Sequence, residues 1–213
     1  NEVFLLEGKF ITFEGIDGSG KTSVLKGVIE HLNGKKIDNY IWTREPGGNR
    51  ISEAIRKIIL NVEYTEMDAR TEALLYAAAR RQHLVDTVLP ALNEGKLVLC
   101  DRFVDSSVVY QGVARDIGVE PVIKLNEFAT ENLKPDLTLY YDVEPEISLK
   151  RISNNRQNQV DRLDKESMDF YHKVRQAYLS LAESNKERIK VIDASQNLDK
   201  VIDDTLSILN NFM

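Results

Sequence analysis

The sequence holds a single cysteine, Cys100, so no disulfide can close within the chain. A reducing compartment, the cytoplasm, suits that composition. Long apolar runs are missing too. None approaches the roughly 20 residues that a membrane-spanning helix requires, so no membrane partner is expected. The opening stretch Asn1-Glu2-Val3-Phe4-Leu5-Leu6-Glu7 carries acids and no basic cluster, which argues against a secretory leader. Positive charge is not in excess: 28 Lys and Arg stand against 34 Asp and Glu, for a net charge of −6. With a sequence pI near 5.2, the chain lacks the broad basic face of a nucleic-acid binder. Its three histidines, His31, His83 and His172, are scattered and suggest no catalytic cluster. There is no internal repeat, no low-complexity stretch and no Pro/Gly/Ser linker. One domain over residues 1–213 is the expectation.

Hydrophobic residues make up 42% and charged residues 29%, enough for a core without a metal or disulfide staple. Short apolar runs alternate with helical patterns, which predicts parallel βαβ units. Strands are expected at about 10–14, 40–43, 97–100, 137–143 and 188–192. Helices are expected at about 21–32, 51–60, 68–93 and 197–212. Leu74, Ala78, Val85, Val88 and Leu92 form an apolar stripe on the third helix, which serves equally as core or as a dimer face. Pro90 is expected to kink its last turn. Cys100 closes the apolar run Leu97-Val98-Leu99-Cys100 and reads as a buried strand residue. The fold class is therefore α/β, a five-stranded parallel sheet with helices on both faces.

The strongest local signal is Gly15-Ile16-Asp17-Gly18-Ser19-Gly20-Lys21-Thr22, a G-x-x-x-x-G-K-T motif between a strand and a helix. Glycines let successive backbone N–H groups turn inward on phosphate oxygens, and the following helix adds its positive end. Lys21 would bridge the β- and γ-phosphates of ATP, and Thr22 would hold Mg²⁺. Asp101 follows a strand at the edge where ligands gather in parallel sheets, and it could orient Mg²⁺ through water. A GTPase switch would also need an N-K-x-D motif. The only Asn-Lys pair is Asn185-Lys186, followed by Glu187-Arg188, so the acid is missing.

Three further segments accompany the phosphate motif in order: Thr43-Arg44-Glu45-Pro46-Gly47-Gly48, Leu74-Leu75-Tyr76-Ala77-Ala78-Ala79-Arg80, and Asp101-Arg102-Phe103-Val104-Asp105-Ser106-Ser107-Val108-Val109-Tyr110-Gln111-Gly112. With Phe13-Glu14 ahead of the motif, the chain resembles the thymidylate kinase family from about Lys9 onward. The resemblance implies a P-loop nucleoside-monophosphate kinase fold and phosphorylation of dTMP to dTDP with ATP and Mg²⁺. It implies that Arg102 grips the acceptor phosphate with help from Arg44 or Arg56. Arg80 would reach thymine O4, Tyr110 would pack under the deoxyribose, and Gln111 would bond the base. Asp17 would accept from the 3′-hydroxyl, and Glu45 and Pro46 would shape the pocket. Ser107 falls in the same segment. Tyr76 stands where the family more often has Phe. A cis peptide before Pro46 is left open.

Residues 153–162 are polar and read as a loop or as a mobile lid, in a lid segment at about 150–163. The phosphate loop itself holds no arginine, whereas Arg151, Arg156 and Arg162 lie in this segment. That distribution resembles bacterial members, with Arg156 and Arg162 expected to stabilise the transferring group. The loop Asp193-Ala194-Ser195-Gln196 would lie against adenine. The family is homodimeric, which implies a dimer. The alternative is another P-loop nucleotide or deoxynucleoside kinase.

Overall fold

The structure is a computed structural model that describes residues 7–155, 162 and 166–212. Five parallel strands form one sheet in the order β2-β3-β1-β4-β5. They are β1 (Lys9–Glu14), β2 (Tyr40–Arg44), β3 (Leu97–Asp101), β4 (Leu137–Asp142) and β5 (Ile189–Asp193). Each runs within a residue or two of its expected bounds. The central strands are apolar on both faces because helices cover both. Along β1 the side chains alternate. Phe10 joins Val98, Cys100, Phe103, Leu84 and Val88 on one side, while Ile11 and Phe13 join Leu99, Leu139, Val24 and Val28 on the other.

Register places the functional ends together. Phe13 pairs with Asp101, and Asp101 pairs with Arg44. The carboxyl ends of β1, β3 and β2 therefore open onto one rim, where α/β sheets bind ligands.

The helices are α1 (Lys21–Gly34), α2 (Arg50–Ile59), α3 (Ala69–His83), α4 (Leu89–Asn93), α5 (Val104–Ser107), α6 (Val119–Thr130), α7 (Pro145–Asn155), α8 (Met168–Ser184) and α9 (Leu198–Phe212). Asn49, Asp68 and Ser167 accept bonds from first-turn N–H groups of α2, α3 and α8. The α1 terminus has no such side-chain cap. Gly20 precedes it at φ 92, and its first N–H groups are left for an anion.

Three expectations need correction. The helix predicted over 68–93 is broken by a π turn at Leu84–Val88, immediately before Pro90. A wider turn accommodates a residue that has no N–H to give. The predicted stripe accordingly divides. Val88 and Leu92 are buried, whereas Leu74, Ala78 and Val85 are exposed. The polar segment from residue 153 begins inside α7, which continues to Asn155. Cys100 is buried as expected, and its thiol donates to the Arg102 carbonyl at 3.1 Å.

Leu99 is fully buried in β3, an interior strand of the sheet. Leu99→Ala should lower the unfolding free energy by about 2–5 kcal/mol. Urea titration should show the midpoint falling with an unchanged slope; an unaltered midpoint would contradict this placement of the core.

Candidate active site

The phosphate loop is built from β1 and α1, and Gly15 and Gly18 are required by contact as well as by conformation, whereas Gly20 is required by its φ alone. A Cβ on Gly18, at φ +78, would lie 2.4 Å from the Ser148 carbonyl of α7. Ser148 Oγ donates to the Asp17 carbonyl and ties the loop to that helix. Lys21 Nζ lies 3.6 Å from Asp17 Oδ1 and 3.9 Å from Asp101 Oδ1. Burial holds the Lys21 pKa below the usual lysine value and Arg102 adds to this, against the pull of Asp101, Asp17 and Glu14.

Thr22 Oγ1 donates to Asp101 Oδ2 at 2.9 Å. Asp101 Oδ1 is buried with no hydrogen-bond partner. A hydroxyl beside a carboxylate oxygen that has Lys21 near it but no hydrogen bond fits a divalent cation that takes its remaining ligands from phosphate and water. Among the described residues no cluster of three or more acids, His or Cys could hold a metal ion.

Two cavities meet at this loop. The larger, about 450 Å³, is lined by residues 17–24 and by Arg151, Ile152, Ala194, Gln196, Asn197, Leu198 and Val201. Arg151 donates to the Ala194 carbonyl at 2.9 Å, fixing the loop after β5 on this cavity. The second, about 80 Å³, is lined by Asp17, Glu45, Pro46, Arg56, Leu60, Tyr76, Arg80, Arg102, Ser106, Ser107, Tyr110 and Gln111. Asp17 lines both.

Arg102 has φ 72, an unusual conformation for a side-chain-bearing residue. It is held there because its N–H donates to the Phe13 carbonyl at 3.0 Å and the next N–H, of Phe103, donates to Glu14 Oε1 at 2.7 Å. The Arg102 guanidinium then donates to Asp17 Oδ1 at 2.9 Å and to Ser106 Oγ at 3.3 Å. It stands 5.3 Å from the centre of the Tyr110 ring.

Arg80 is 2% exposed. Its Nε donates to Glu45 Oε2 at 2.7 Å, Nη1 to Ser107 Oγ at 3.0 Å and to Asn126 Oδ1, and Nη2 to the Phe103 carbonyl at 3.1 Å. A guanidinium has five N–H groups, so one Nη2 hydrogen remains beyond these bonds. His83 Nδ1 lies 2.8 Å from Glu45 Oε1, and the Glu45–Pro46 peptide is cis.

The predicted acceptor residues are thus brought together, with one exception. Arg44 pairs with Glu53 Oε1 at 2.7 Å, half exposed, and does not line the cavity. Arg56 lines the cavity instead, and its Nη1 donates to the Pro46 carbonyl at 3.0 Å. Arg156 lies outside the described residues. Arg162 is bonded on the acceptor side, with Nε donating to the Ile59 carbonyl at 3.0 Å and Nη2 donating to Glu72 Oε2.

Two acids missed by sequence reasoning organise this region. Glu72 is buried and bonded by Gln111, Arg115 and Arg162. Its signal was present: Glu72, Tyr76 and Arg80 recur at four-residue steps, on one helix face. Burial pulls the Glu72 pKa upward, but the Arg162 bond, the Arg115 charge and the Gln111 bond outweigh it, and the net shift is downward. Glu14 ends β1 and has no counterpart in any spacing rule.

The fold and these adjoining cavities, one built on a phosphate loop and the other on buried arginines, define a P-loop phosphotransferase of the nucleoside-monophosphate kinase class. The thymidylate kinase family model matches residues 13–205. The chain is 99% identical over 208 residues to a thymidylate kinase of Ligilactobacillus salivarius (98% of this chain, 100% of that protein). It is 58% identical to one of Latilactobacillus sakei (95% and 94% covered). A solved thymidylate kinase from Ehrlichia chaffeensis superposes with a TM-score of 0.78 at 31% identity (95% and 98% covered). The chain belongs to the thymidylate kinase family.

Burial pushes the Glu14 carboxyl from the ordinary 4.5 up to about 7, and the Asp105 charge adds to this against Arg102, Ser106 and Tyr178. Between those values the unfolded chain loses the proton while the folded chain keeps it. Stability therefore falls as pH rises through the window, by about 3 kcal/mol from this group. Glu14→Gln removes that slope. Urea unfolding of both proteins from about pH 4.5 to about pH 7 should show the variant gaining on its parent; a constant difference would refute the assignment.

Proposed function

We propose that this chain moves the γ-phosphoryl group of ATP to the 5′-phosphate of dTMP, giving dTDP and ADP, in a single kinase domain over residues 1–213. The observation that carries this reading is Asp17, the phosphate-loop residue shared by both cavities and paired with both Lys21 and Arg102. Two phosphorylated ligands seated on the two sides would meet end to end there. Transfer between them needs positioning and charge neutralisation more than a general base.

On the donor side, Gly15, Ile16, Asp17, Gly18, Ser19 and Gly20 would cradle the ATP phosphates, and Lys21 would bridge the β- and γ-groups. Thr22 and Asp101 would hold Mg²⁺, which when bound neutralises charge on those phosphates. Adenine would lie against Ala194 and Gln196. On the acceptor side, Arg102 and Arg56 grip the dTMP phosphate. Asp17 accepts from the 3′-hydroxyl, and Glu45 and Ser107 hold Arg80. Arg80 offers its remaining hydrogen to O4, Tyr76 and Tyr110 flank the nucleoside, and Gln111 reads the base edge. Arg156 and Arg162, of the lid segment at about 150–163, serve the transferring group. Arg162 would do so by exchanging Glu72 for phosphate. A nucleoside kinase would have no use for the Arg102 clamp, which favours a monophosphate acceptor.

A coupled ADP-release assay tests this. Lys21→Ala should lower dTMP-dependent turnover by at least about 100-fold. Arg102→Ala should raise the KM for dTMP while leaving the KM for ATP near its parent value. Undiminished turnover without Lys21, or better use of thymidine than of dTMP, would overturn the reading.

The chain also pairs with a second copy in this reading. Leu74 (57% exposed) and Val85 lie on the outer face of α3 and its π turn, and Phe128 (86% exposed) lies on the adjacent α6. Such an apolar patch is costly to leave in water. Among the described residues no helix is long and apolar enough to cross a membrane, and a reduced buried Cys100 suits the cytoplasm. Phe128→Glu should convert a dimer to a monomer in sedimentation velocity; a monomeric parent chain would contradict the assembly.

A further inference from the structure

Gln111 reads the base only if its amide is held one way round. An amide has a donor end and an acceptor end of nearly equal shape, and which end faces a ligand is set by what the other end touches. Here the partner is Glu72. Gln111 Nε2 donates to Glu72 Oε1 at 2.8 Å, in an environment where both side chains are buried. The carboxylate is bonded by Arg162, Arg115 and Gln111 itself, with Glu166 sharing its Arg115 partner. It is ionised there, and an ionised carboxylate only accepts. Turning the amide over would set its oxygen against the carboxylate and leave a buried donor unmade, which is unfavourable on both counts.

We propose that Glu72 is a specificity-determining positioning residue. By fixing the amide of Gln111 it selects a pyrimidine with a ring N–H beside a carbonyl and rejects one with a ring acceptor beside an amino group. This rests on the assignment of Gln111 to the base. The orientation leaves the amide oxygen to accept from N3–H and the second Nε2 hydrogen to donate to O4. Cytosine presents the reverse pattern at both positions and matches only the turned amide. Arg80, a pure donor on the same cavity, favours O4 as well, so part of the discrimination is independent of Glu72. Arg115 Nη2 also pairs with Glu166 Oε1 at 2.6 Å, and Arg162 Nε donates to the Ile59 carbonyl. Both would keep a partner if the Glu72 charge were removed.

The test compares kcat/KM for dTMP and dCMP in the parent, Glu72→Gln, Gln111→Leu and the double variant. A neutral amide at position 72 can accept or donate and so permits both orientations. The dTMP-to-dCMP ratio should fall by about tenfold or more in Glu72→Gln, chiefly through KM for dCMP. In the Gln111→Leu background the same change should leave the ratio as it is. A folded Glu72→Gln protein with the parent ratio overturns the proposal, and so does an equal fall in both backgrounds. A parent that uses dCMP as readily as dTMP overturns the base assignment of Gln111, and the inference with it. Should Glu72→Gln not fold, the parent alone decides. In its nitrogen-15 spectrum, with the side-chain amide assigned by loss in Gln111→Leu, one Gln111 proton should exchange slowly without ligand. Rapid exchange of both would contradict the contact.

Discussion

The cavity lined by Arg80 and Arg102 depends on one buried charge. Arg80 is almost wholly removed from water, and an unpaired guanidinium in that position would be severely destabilising. It is tolerated because Glu45, Ser107, Asn126 and the Phe103 carbonyl converge on it. Those groups come from the loop after β2, from α5, from α6 and from the end of β3. The ion pair therefore does more than stabilise one helix: it fixes the relative placement of the segments that line the cavity. His83 extends the arrangement by holding the other oxygen of Glu45 and reaching Thr43 Oγ1 at 2.7 Å.

Glu14 plays the matching part on the sheet side. It lies at the end of β1, directly before the phosphate loop, and binds the Phe103 N–H and the hydroxyls of Ser106 and Tyr178. Through the Phe103 bond it sustains the left-handed backbone of Arg102, a strained conformation that surrounding structure must over-determine. The strand that leads into the phosphate loop thus also aims Arg102 into the second cavity. Asp17, between Lys21 and Arg102, is where the two halves touch. An acid among phosphate-binding cations is unfavourable for phosphate alone, and its position is intelligible when it also serves the second ligand.

Much of this was legible in the chain. Strands showed as apolar runs because a parallel sheet is covered on both faces, and the phosphate loop showed because its glycines and lysine sit between a strand and a helix. The acceptor residues came from motif resemblance, and Arg56, Tyr76, Arg80, Arg102, Tyr110 and Gln111 do share one cavity. Other features were hidden for physical reasons. The short helix and π turn across 104–114 have too few residues for periodicity to register. Arg44 and Arg56 look alike in sequence, and only the fold separates them, since Arg56 lines the cavity and Arg44 does not. Glu72 shares a helix face with Tyr76 and Arg80, yet near the start of a helix it reads as an ordinary surface acid favoured by the helix dipole. Its burial follows from Gln111, Arg115 and Arg162, which are distant in the chain.

The central claim is that two phosphorylated substrates occupy the two cavities and meet at Asp17. A crystal structure with a bisubstrate ligand, adenosine joined to thymidine by a polyphosphate bridge, tests it most directly. Adenosine is expected beside Ala194 and Gln196, phosphates across Lys21, Asp17 and Arg102, and thymine between Tyr76, Arg80 and Gln111. Thymine placed outside the Arg80 cavity, or a bridge that bypasses Asp17, would contradict it.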